Sequence, residues 1–184
     1  MTLVGILHEG NFDREPLQNV VGKVLSQHQV DAKFVPFKAG GPIIGKAKDA
    51  IKYFEEQSCE IAVLVGDTDG DSANCREIEE FKKTYIANGG KIKIVVGCPD
   101  PSLEQWFFSD DAAIKNTLNI PGQDPIRKPS QHPKDNLRDL IDLYSKEDLR
   151  TDSTIYGEIS QKINIANLMH DQNFKKFFQQ LSNI

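Results

Sequence analysis

Four short apolar runs, rich in Val and Ile and separated by segments of helical period, constrain the fold of this 184-residue chain more than any other feature. The runs are Leu3–Leu7, Lys33–Phe37, Ile61–Val65 and Ile92–Val96. Runs that are apolar on both faces are typical of parallel strands, because helices cover both faces of such a sheet. The alternation therefore predicts an α/β fold in which a mostly parallel, Rossmann-like sheet of about four strands is flanked by helices.

The segments between the runs place apolar side chains three and four residues apart, which is the pattern of a helix with one buried face. They predict helices over Arg14–Gln27, Lys46–Glu56 and Arg76–Ala87. The Asn88-Gly89-Gly90 sequence is a typical end for the third helix.

After about Asp110 the sequence changes character, and residues 111–118 are predicted to be helical. Residues 121–133 hold prolines at intervals of four, a spacing that no helix interior tolerates, so an extended segment is expected there. The helical period returns after Asp135, and the final segment carries an apolar stripe that predicts a helix packed on the domain. The stripe consists of Phe174, Phe177, Phe178 and Leu181. We expect a single domain, with an α/β core over residues 1–120 and a Pro-rich segment and C-terminal helices over residues 121–184 packed on it.

The charge balance argues against a protein that coats nucleic acid non-specifically. The chain has 22 Lys and Arg residues against 27 Asp and Glu residues, a net charge of −5, whereas such coating needs a broad basic surface.

No apolar stretch approaches the roughly 20 residues of a transmembrane helix, and Glu9 interrupts the N-terminus before a signal-peptide core can form. We therefore expect a cytoplasmic protein with no membrane partner.

The three cysteines, Cys59, Cys75 and Cys98, form no CxxC pair and lie in or beside predicted core elements. This pattern supports neither a disulfide framework nor a zinc site. We expect three buried thiols in a reducing compartment.

Acidic residues follow three of the four predicted strands. They are Glu9 after the first strand, Asp67, Asp69 and Asp71 after the third, and Glu104 after the fourth. Because ligands bind outside the carboxyl ends of the strands in an open parallel sheet, these side chains are expected to converge. Converging carboxylates repel one another unless a cation lies among them, and carboxylate oxygens suit Mg²⁺ or Mn²⁺. The sequence thus predicts a divalent metal site formed by these acids.

The acidic run that starts at Asp67 has two other interpretations. An EF-hand loop needs Gly at its sixth position and Glu at its twelfth, where this chain has Ser72 and Ile78, and it follows a helix rather than a strand. Capping of the third helix explains Asp71 but leaves Asp67 and Asp69 unexplained. Metal binding and helix capping both stay open for Asp71.

The order and spacing of these motifs resemble a known family. A strand ending in Glu9-Gly10 and a later strand ending in the acidic run are similar to the Toprim domain, the catalytic module of topoisomerases, primases and the OLD-family nucleases. The small stand-alone Toprim proteins of the RloB-like group are more similar still. Glu104-Gln105-Trp106 matches their Glu-x-Trp segment, His132-Pro133-Lys134 matches their later Pro-Lys motif, and the closing FKKFFQQL is similar to their last helix. The chain departs from the group at residues 11–14, which read Asn-Phe-Asp-Arg.

The resemblance implies a Toprim-like fold and a Mg²⁺- or Mn²⁺-dependent nuclease, acting in prokaryotic antiviral defence beside a separately encoded ATPase. Glu9 is implied to activate water or to protonate a leaving oxygen, while Asp67 and Asp69 bind the metal. Glu104 would complete a second metal site. Lys134 would stabilise developing charge on the phosphate, and the alternative for Lys134 is an ordinary solvated lysine after a proline.

Two basic segments are candidates for binding nucleic-acid phosphates. Residues 40–47 have the spacing of a Walker A motif but end in Ala47 instead of the Ser or Thr that binds Mg²⁺, which argues against an ATPase. The candidate binding residues are Lys46, Lys48, Arg127, Lys128 and His132. The alternative for these lysines is an ordinary solvated helix face. Trp106 and Phe107 are interpreted as core residues rather than as platforms for bases.

Two functional hypotheses stay open. The first is a nuclease that cuts DNA or RNA, and the alternative is a non-catalytic or regulatory Toprim-like subunit that binds a partner ATPase. A receiver-type signalling domain is disfavoured, because it needs an acidic pair after the first strand, where only Glu9 stands. Whether the chain forms a homodimer is not decided by the sequence.

Overall fold

The computed structural model describes residues 1–127, 132–145 and 150–184. It confirms the predicted α/β fold: a four-stranded, all-parallel sheet with helices on both faces. The strands are β1 (Thr2–His8), β2 (Ala32–Lys38), β3 (Ile61–Val65) and β4 (Lys93–Gly97), and their order across the sheet is β2-β1-β3-β4. This order reverses direction between β1 and β3, and such a switch point is where open α/β sheets bind their ligands.

Three helices form the crossovers between the strands. They are α1 (Arg14–Gln27), α2 (Ile44–Glu56) and α3 (Ala73–Ala87). The first matches the predicted range, whereas α2 and α3 begin two and three residues earlier than predicted. The apolar positions that define a helix in sequence do not mark its first turn, which is why such starts are missed.

Six further helices follow β4 in the described ranges. They are α4 (Glu104–Phe107), α5 (Asp111–Leu118), α6 (Pro133–Tyr144), α7 (Asp152–Lys162), α8 (Ile165–Leu168) and α9 (Gln172–Ser182). Residues 121–127 form no helix or strand, and α6 begins with Pro133 in its first turn, where a missing N–H costs nothing. Among the described helices, none has the length and apolar character needed to cross a membrane.

Alternate residues of the strands supply two apolar cores. Ile6 lies in the core that β1 shares with α1 and the later helices, and the next residue, Leu7, lies in the core under α2 and α3. The predicted aromatic stripe of α9 packs in the first core, with Phe174 and Phe177 fully buried. Trp106 is stacked on Phe177 with ring centroids 5.2 Å apart, so its assignment to the core is confirmed.

Both edge strands carry features that limit further strand pairing. Pro36 lacks an amide hydrogen and lies in the middle of β2, where an edge position makes proline acceptable. At the other edge, the side-chain amide of Gln180 in α9 binds the backbone of Val96 in β4. Its Nε2 donates to the Val96 carbonyl at 3.0 Å, and the Val96 N–H donates to its Oε1 at 3.1 Å.

The expectation of three free thiols is wrong for two of the cysteines. Cys75 in the first turn of α3 and Cys98 directly after β4 form a disulfide, while Cys59 is free and buried. Because β3 and β4 are paired, the segments that follow them lie side by side, and the two Cα atoms are 5.9 Å apart. That proximity comes from strand pairing and leaves no mark in the spacing of the cysteines.

Candidate active site

Carboxylates from four segments gather at the carboxyl edge of the sheet, beside the switch point. The set consists of Glu9 after β1, Asp13 before α1, Asp67 and Asp69 after β3, and Glu104 at the start of α4. Asp67 interacts electrostatically with Glu104, Asp13 and Glu9, and Glu9 also interacts with Asp69. The structure therefore brings together four of the five predicted acids, and we call the whole set of five the acid cluster.

Asp67 lies at the centre of these interactions. Burial, followed by the nearby charges of Glu104, Asp13 and Glu9, raises the pKa of its carboxyl to about 8. The Leu103 N–H donates to Asp67 Oδ1 at 3.0 Å and opposes the rise by stabilising the charged form. A carboxyl held in this way is protonated near neutral pH unless a cation replaces the proton.

Glu9 lies against the neighbouring strand. Burial, followed by the charges of Asp13 and Asp69, raises the pKa of its carboxyl to about 7. A Cβ atom added to Gly66 would lie 3.1 Å from Glu9 Oε1 and 2.9 Å from Cγ1 of Ile43. Glycine at the end of β3 thus makes room for the Glu9 carboxylate.

Asp13 is a cluster member that the sequence analysis missed. Its carboxylate makes no hydrogen bond to the first turn of α1 and instead accepts the Gly10 N–H at 2.6 Å through Oδ2. Burial raises the pKa of Asp13 as well, and the charge of Glu104 adds to the rise. The available signal was its place between β1 and α1, because residues that follow a parallel strand lie at the carboxyl edge of the sheet.

Glu104 is the most deeply buried acid of the cluster, with 4% of its surface exposed. The Tyr156 hydroxyl in α7 donates to its Oε1 at 2.9 Å. Its other oxygen, Oε2, is buried and has no hydrogen-bond partner within the described part of the protein. An unsatisfied buried carboxylate oxygen is costly, and a bound cation is one means of satisfying it.

Hydrogen bonds join the loop after β3 to the loop after β4. The N–H groups of Thr68 and Asp69 donate to the carbonyls of Pro99 and Pro101, at 3.2 Å and 2.9 Å, and the Thr68 hydroxyl donates to Asp100. Asp69 has a φ of 49°, and the turn continues through Gly70 at 80°, in the left-handed region that Asp and Gly tolerate best. With the Cys75–Cys98 disulfide, these bonds fix the position of Asp67 relative to α4.

The remaining predicted acid lies outside these interactions. Asp71 is exposed and accepts the Ala73 N–H at 2.8 Å through Oδ1, which is the contact of a residue at a helix start. The geometry therefore favours the capping interpretation of Asp71 over metal binding.

The predicted cations divide into two groups. Lys134, near the start of α6, is exposed and interacts electrostatically with Glu9 and Asp13, so it faces the acid cluster. Its neighbour His132 precedes α6, and its Nδ1 accepts the Lys134 N–H. The guanidinium of Arg127 lies 4.9 Å from the centre of the Phe108 ring.

The predicted lysines of α2 have contacts outside the acid cluster. Lys46 forms an exposed ion pair with Asp49 at 3.4 Å. Lys48 lines the groove between α2 and α3. Lys128 lies outside the described residues, so its role stays a prediction.

Within residues 1–127, 132–145 and 150–184, no group of three or more His, Cys, Asp or Glu side chains is positioned to hold a metal ion as it stands. Loading the acid cluster with a cation would therefore require loss of protons and rotation of side chains. The unpartnered Oε2 of Glu104 and the raised pKa of Asp67 are the observations that fit such a cation.

No protein-family model, curated protein or solved structure matches the chain. The Toprim resemblance consequently depends on the motifs alone.

Proposed function

We propose that this protein is a Mg²⁺- or Mn²⁺-dependent phosphodiesterase that cuts nucleic acid. The observation that carries the proposal is the buried, unpartnered Oε2 of Glu104, beside an Asp67 carboxyl whose pKa is raised to about 8. Acids in this state favour the exchange of protons for a divalent cation. Asp67, Glu104 and Asp13 would hold it, with Asp69 at the exposed side of the cluster.

When bound, a divalent ion lowers the pKa of water and stabilises charge on phosphate oxygens. The residues of the chain would supply the other steps. With a pKa of about 7, Glu9 can accept or release a proton at Oε1 close to neutral pH, which suits a general acid or base. Lys134 faces Glu9 and Asp13 and would stabilise negative charge on the phosphate in the transition state.

Cleavage assays with matched variants test this proposal. Labelled single-stranded and duplex DNA and RNA are incubated with the protein in Mg²⁺, in Mn²⁺ and in EDTA. Glu9→Gln and Asp67→Asn should abolish metal-dependent cleavage. Glu56 and Asp31 are exposed and lie before the amino ends of strands, away from the acid cluster. The same amide substitutions there, Glu56→Gln and Asp31→Asn, are the controls and should cleave normally. Unchanged cleavage by either cluster variant overturns the role assigned to that residue.

The alternative that we propose is a non-catalytic or regulatory Toprim-like subunit that binds a partner ATPase. Calorimetric titration with Mn²⁺ and co-purification with a separately encoded ATPase distinguish the two functions. Metal binding or ATPase binding without cleavage of any nucleic acid would favour the second.

The biological setting that we propose is antiviral defence in the cytoplasm of a prokaryote, in keeping with the Toprim resemblance. The Cys75–Cys98 disulfide bears on this location, because disulfides in reducing compartments are rare and often redox-active. Thiol trapping in cell extracts measures its state. A fully reduced pair supports a cytoplasmic location, and a fully oxidised pair argues against it.

A further inference from the structure

Phe12 is a large apolar side chain that remains exposed beside the acid cluster. It lies in the loop between Glu9 and Asp13, with 43% of its surface exposed. The three aromatic residues that follow β4 at this edge, Trp106, Phe107 and Phe108, are buried. Phe12 therefore offers a ring face to solvent within four residues of the proposed catalytic acid.

The loop that carries Phe12 is held at both ends. His8 Nδ1 donates to the Gly10 carbonyl at 2.7 Å, and the Gly10 N–H donates to Asp13 Oδ2 at 2.6 Å. The ring itself packs beside Tyr156, with centroids 5.8 Å apart. Through its hydroxyl, Tyr156 reaches Glu104. Phe12 thus has a fixed position relative to the acids, and its ring lies against that of Tyr156 at an interplanar angle of 37°.

Two cations of α6 interact with the groups next to Phe12. Lys134 interacts with Asp13, the residue next to Phe12, and Arg138 interacts with Tyr156, the ring beside it. They are four residues apart in a helix, so both project from one side of α6. An aromatic face, flanking cations and a set of acids that would bind metal are what a base, its phosphates and a scissile bond require.

We propose that Phe12 is a stacking platform for a nucleobase, and that the acid cluster accepts single-stranded nucleic acid or an unpaired end. This inference rests on the proposed function and adds the substrate class to it. In a duplex, both faces of each base are covered by its neighbours, whereas an unpaired base can place one face on an aromatic ring. The chemistry is shared by DNA and RNA, because every base has such a face.

Equilibrium binding of short oligonucleotides to the intact chain tests the inference. Fluorescein-labelled single strands and duplexes of DNA and RNA are titrated in Ca²⁺, which binds carboxylate oxygens, and Kd is obtained from anisotropy. Phe12→Ala and Phe12→Leu should weaken single-strand binding by about five- to 150-fold, the effect expected for one stacked base. Duplex binding should not change, and Phe12→Trp should bind single strands as the wild type does.

Two further measurements separate stacking from a structural effect. Ile86→Ala removes another exposed apolar side chain, in α3, and should leave binding unchanged. A single 2-aminopurine moved along the strand should be quenched at one position by the wild type and by Phe12→Trp, and at none by Phe12→Leu. If Phe12→Leu binds and quenches normally, the residue only anchors the start of α1 and the inference is wrong.

The failure of this inference differs from the failure of the proposed function. A wild-type protein that cleaves nucleic acid, with a Phe12→Ala variant that binds single strands equally well, overturns the stacking platform and leaves the phosphodiesterase standing. A wild-type protein that neither binds nor cleaves any of the four substrates overturns both.

Discussion

The hydroxyl of Tyr156 donates a hydrogen bond to Oε1 of Glu104 over 2.9 Å, and both side chains are buried. The two residues belong to α7 and α4 and are themselves 52 positions apart in the chain. This contact connects the helices that follow the sheet to the acids at its carboxyl edge. It orients the Glu104 carboxylate with Oε1 hydrogen-bonded and with Oε2 buried and able to bind another ligand.

Tyr156→Phe should destabilise the protein and weaken metal binding. The variant keeps the ring contacts with Phe107 and Phe12 but removes the donor to a buried carboxylate. We expect a loss of about 1.5–3 kcal/mol in the free energy of unfolding, measured in urea, and about a tenfold or greater loss of Mn²⁺ affinity, measured by calorimetry. Tyr144→Phe is the matched control, because its hydroxyl donates to Asp124 at 2.9 Å, outside the acid cluster. Equal effects of the two variants on Mn²⁺ affinity would contradict this role of Tyr156.

Asp67→Asn should stabilise the metal-free protein above neutral pH. In the folded protein the pKa of Asp67 is raised to about 8, mainly by burial, whereas an unfolded Asp ionises near 3.9. Between these values the folded state binds more protons than the unfolded state, so the free energy of unfolding falls as pH rises. The Asn variant lacks this loss and should exceed the wild type by about 5 kcal/mol at pH 8.5 in EDTA.

Urea unfolding at pH 4.5 and pH 8.5 measures the difference. Near pH 4.5 the two proteins should be similar, because the folded wild type is already protonated at this position. Asp31→Asn controls for the loss of one negative charge at an exposed site. A wild-type pH profile identical to that of Asp67→Asn would show that the carboxyl is not perturbed.

Gly66→Ala, at the end of the strand next to Glu9, should displace the Glu9 carboxylate. The added methyl group would lie 2.9 Å from a carbon of Ile43 and 3.1 Å from Glu9 Oε1, so one of them must move. Overpacking of this kind costs about 1–3 kcal/mol of stability. Cleavage should fall by more than the loss of folded protein explains, as measured by activity per folded molecule at low temperature. Gly45→Ala, in open space on α2, should have no such effect.

Reduction of the disulfide should loosen the loop that holds Asp67. A crosslink of this loop length contributes about 3 kcal/mol in the chain-entropy description. Dithiothreitol should therefore lower the Tm of the wild type and weaken Mn²⁺ binding. The double variant Cys75→Ser/Cys98→Ser should show the lower Tm with or without the reductant. A wild-type Tm that does not respond to full reduction would contradict a stabilising role for the disulfide.

The sequence predicts well those features that depend on local pattern. The range of α1 and the range of β3 were predicted to the residue, because apolar periodicity marks both. Glu9 and Asp67 were found because parallel topology places the residues after β1 and β3 at one edge.

Features that depend on packing between distant segments were missed. Tyr156 has no sequence signal that links it to Glu104, since only the docking of α7 brings them together. The pairing of Cys75 with Cys98 follows from the side-by-side position of β3 and β4, which no spacing rule contains. Asp13 joins the acid cluster because its side chain turns back towards Gly10, a loop contact that no sequence pattern marks.

The side chain of Gln180 has a consequence for how the sheet ends. A primary amide carries the same donor and acceptor as a peptide group, so one glutamine of α9 imitates one residue of an absent fifth strand. Lys82 also donates to its Oε1, at 2.7 Å, which holds the amide in that orientation. Both backbone groups of Val96 are therefore occupied from within the molecule. A strand from another copy of the protein would have to displace this helix before it could extend the sheet at that point.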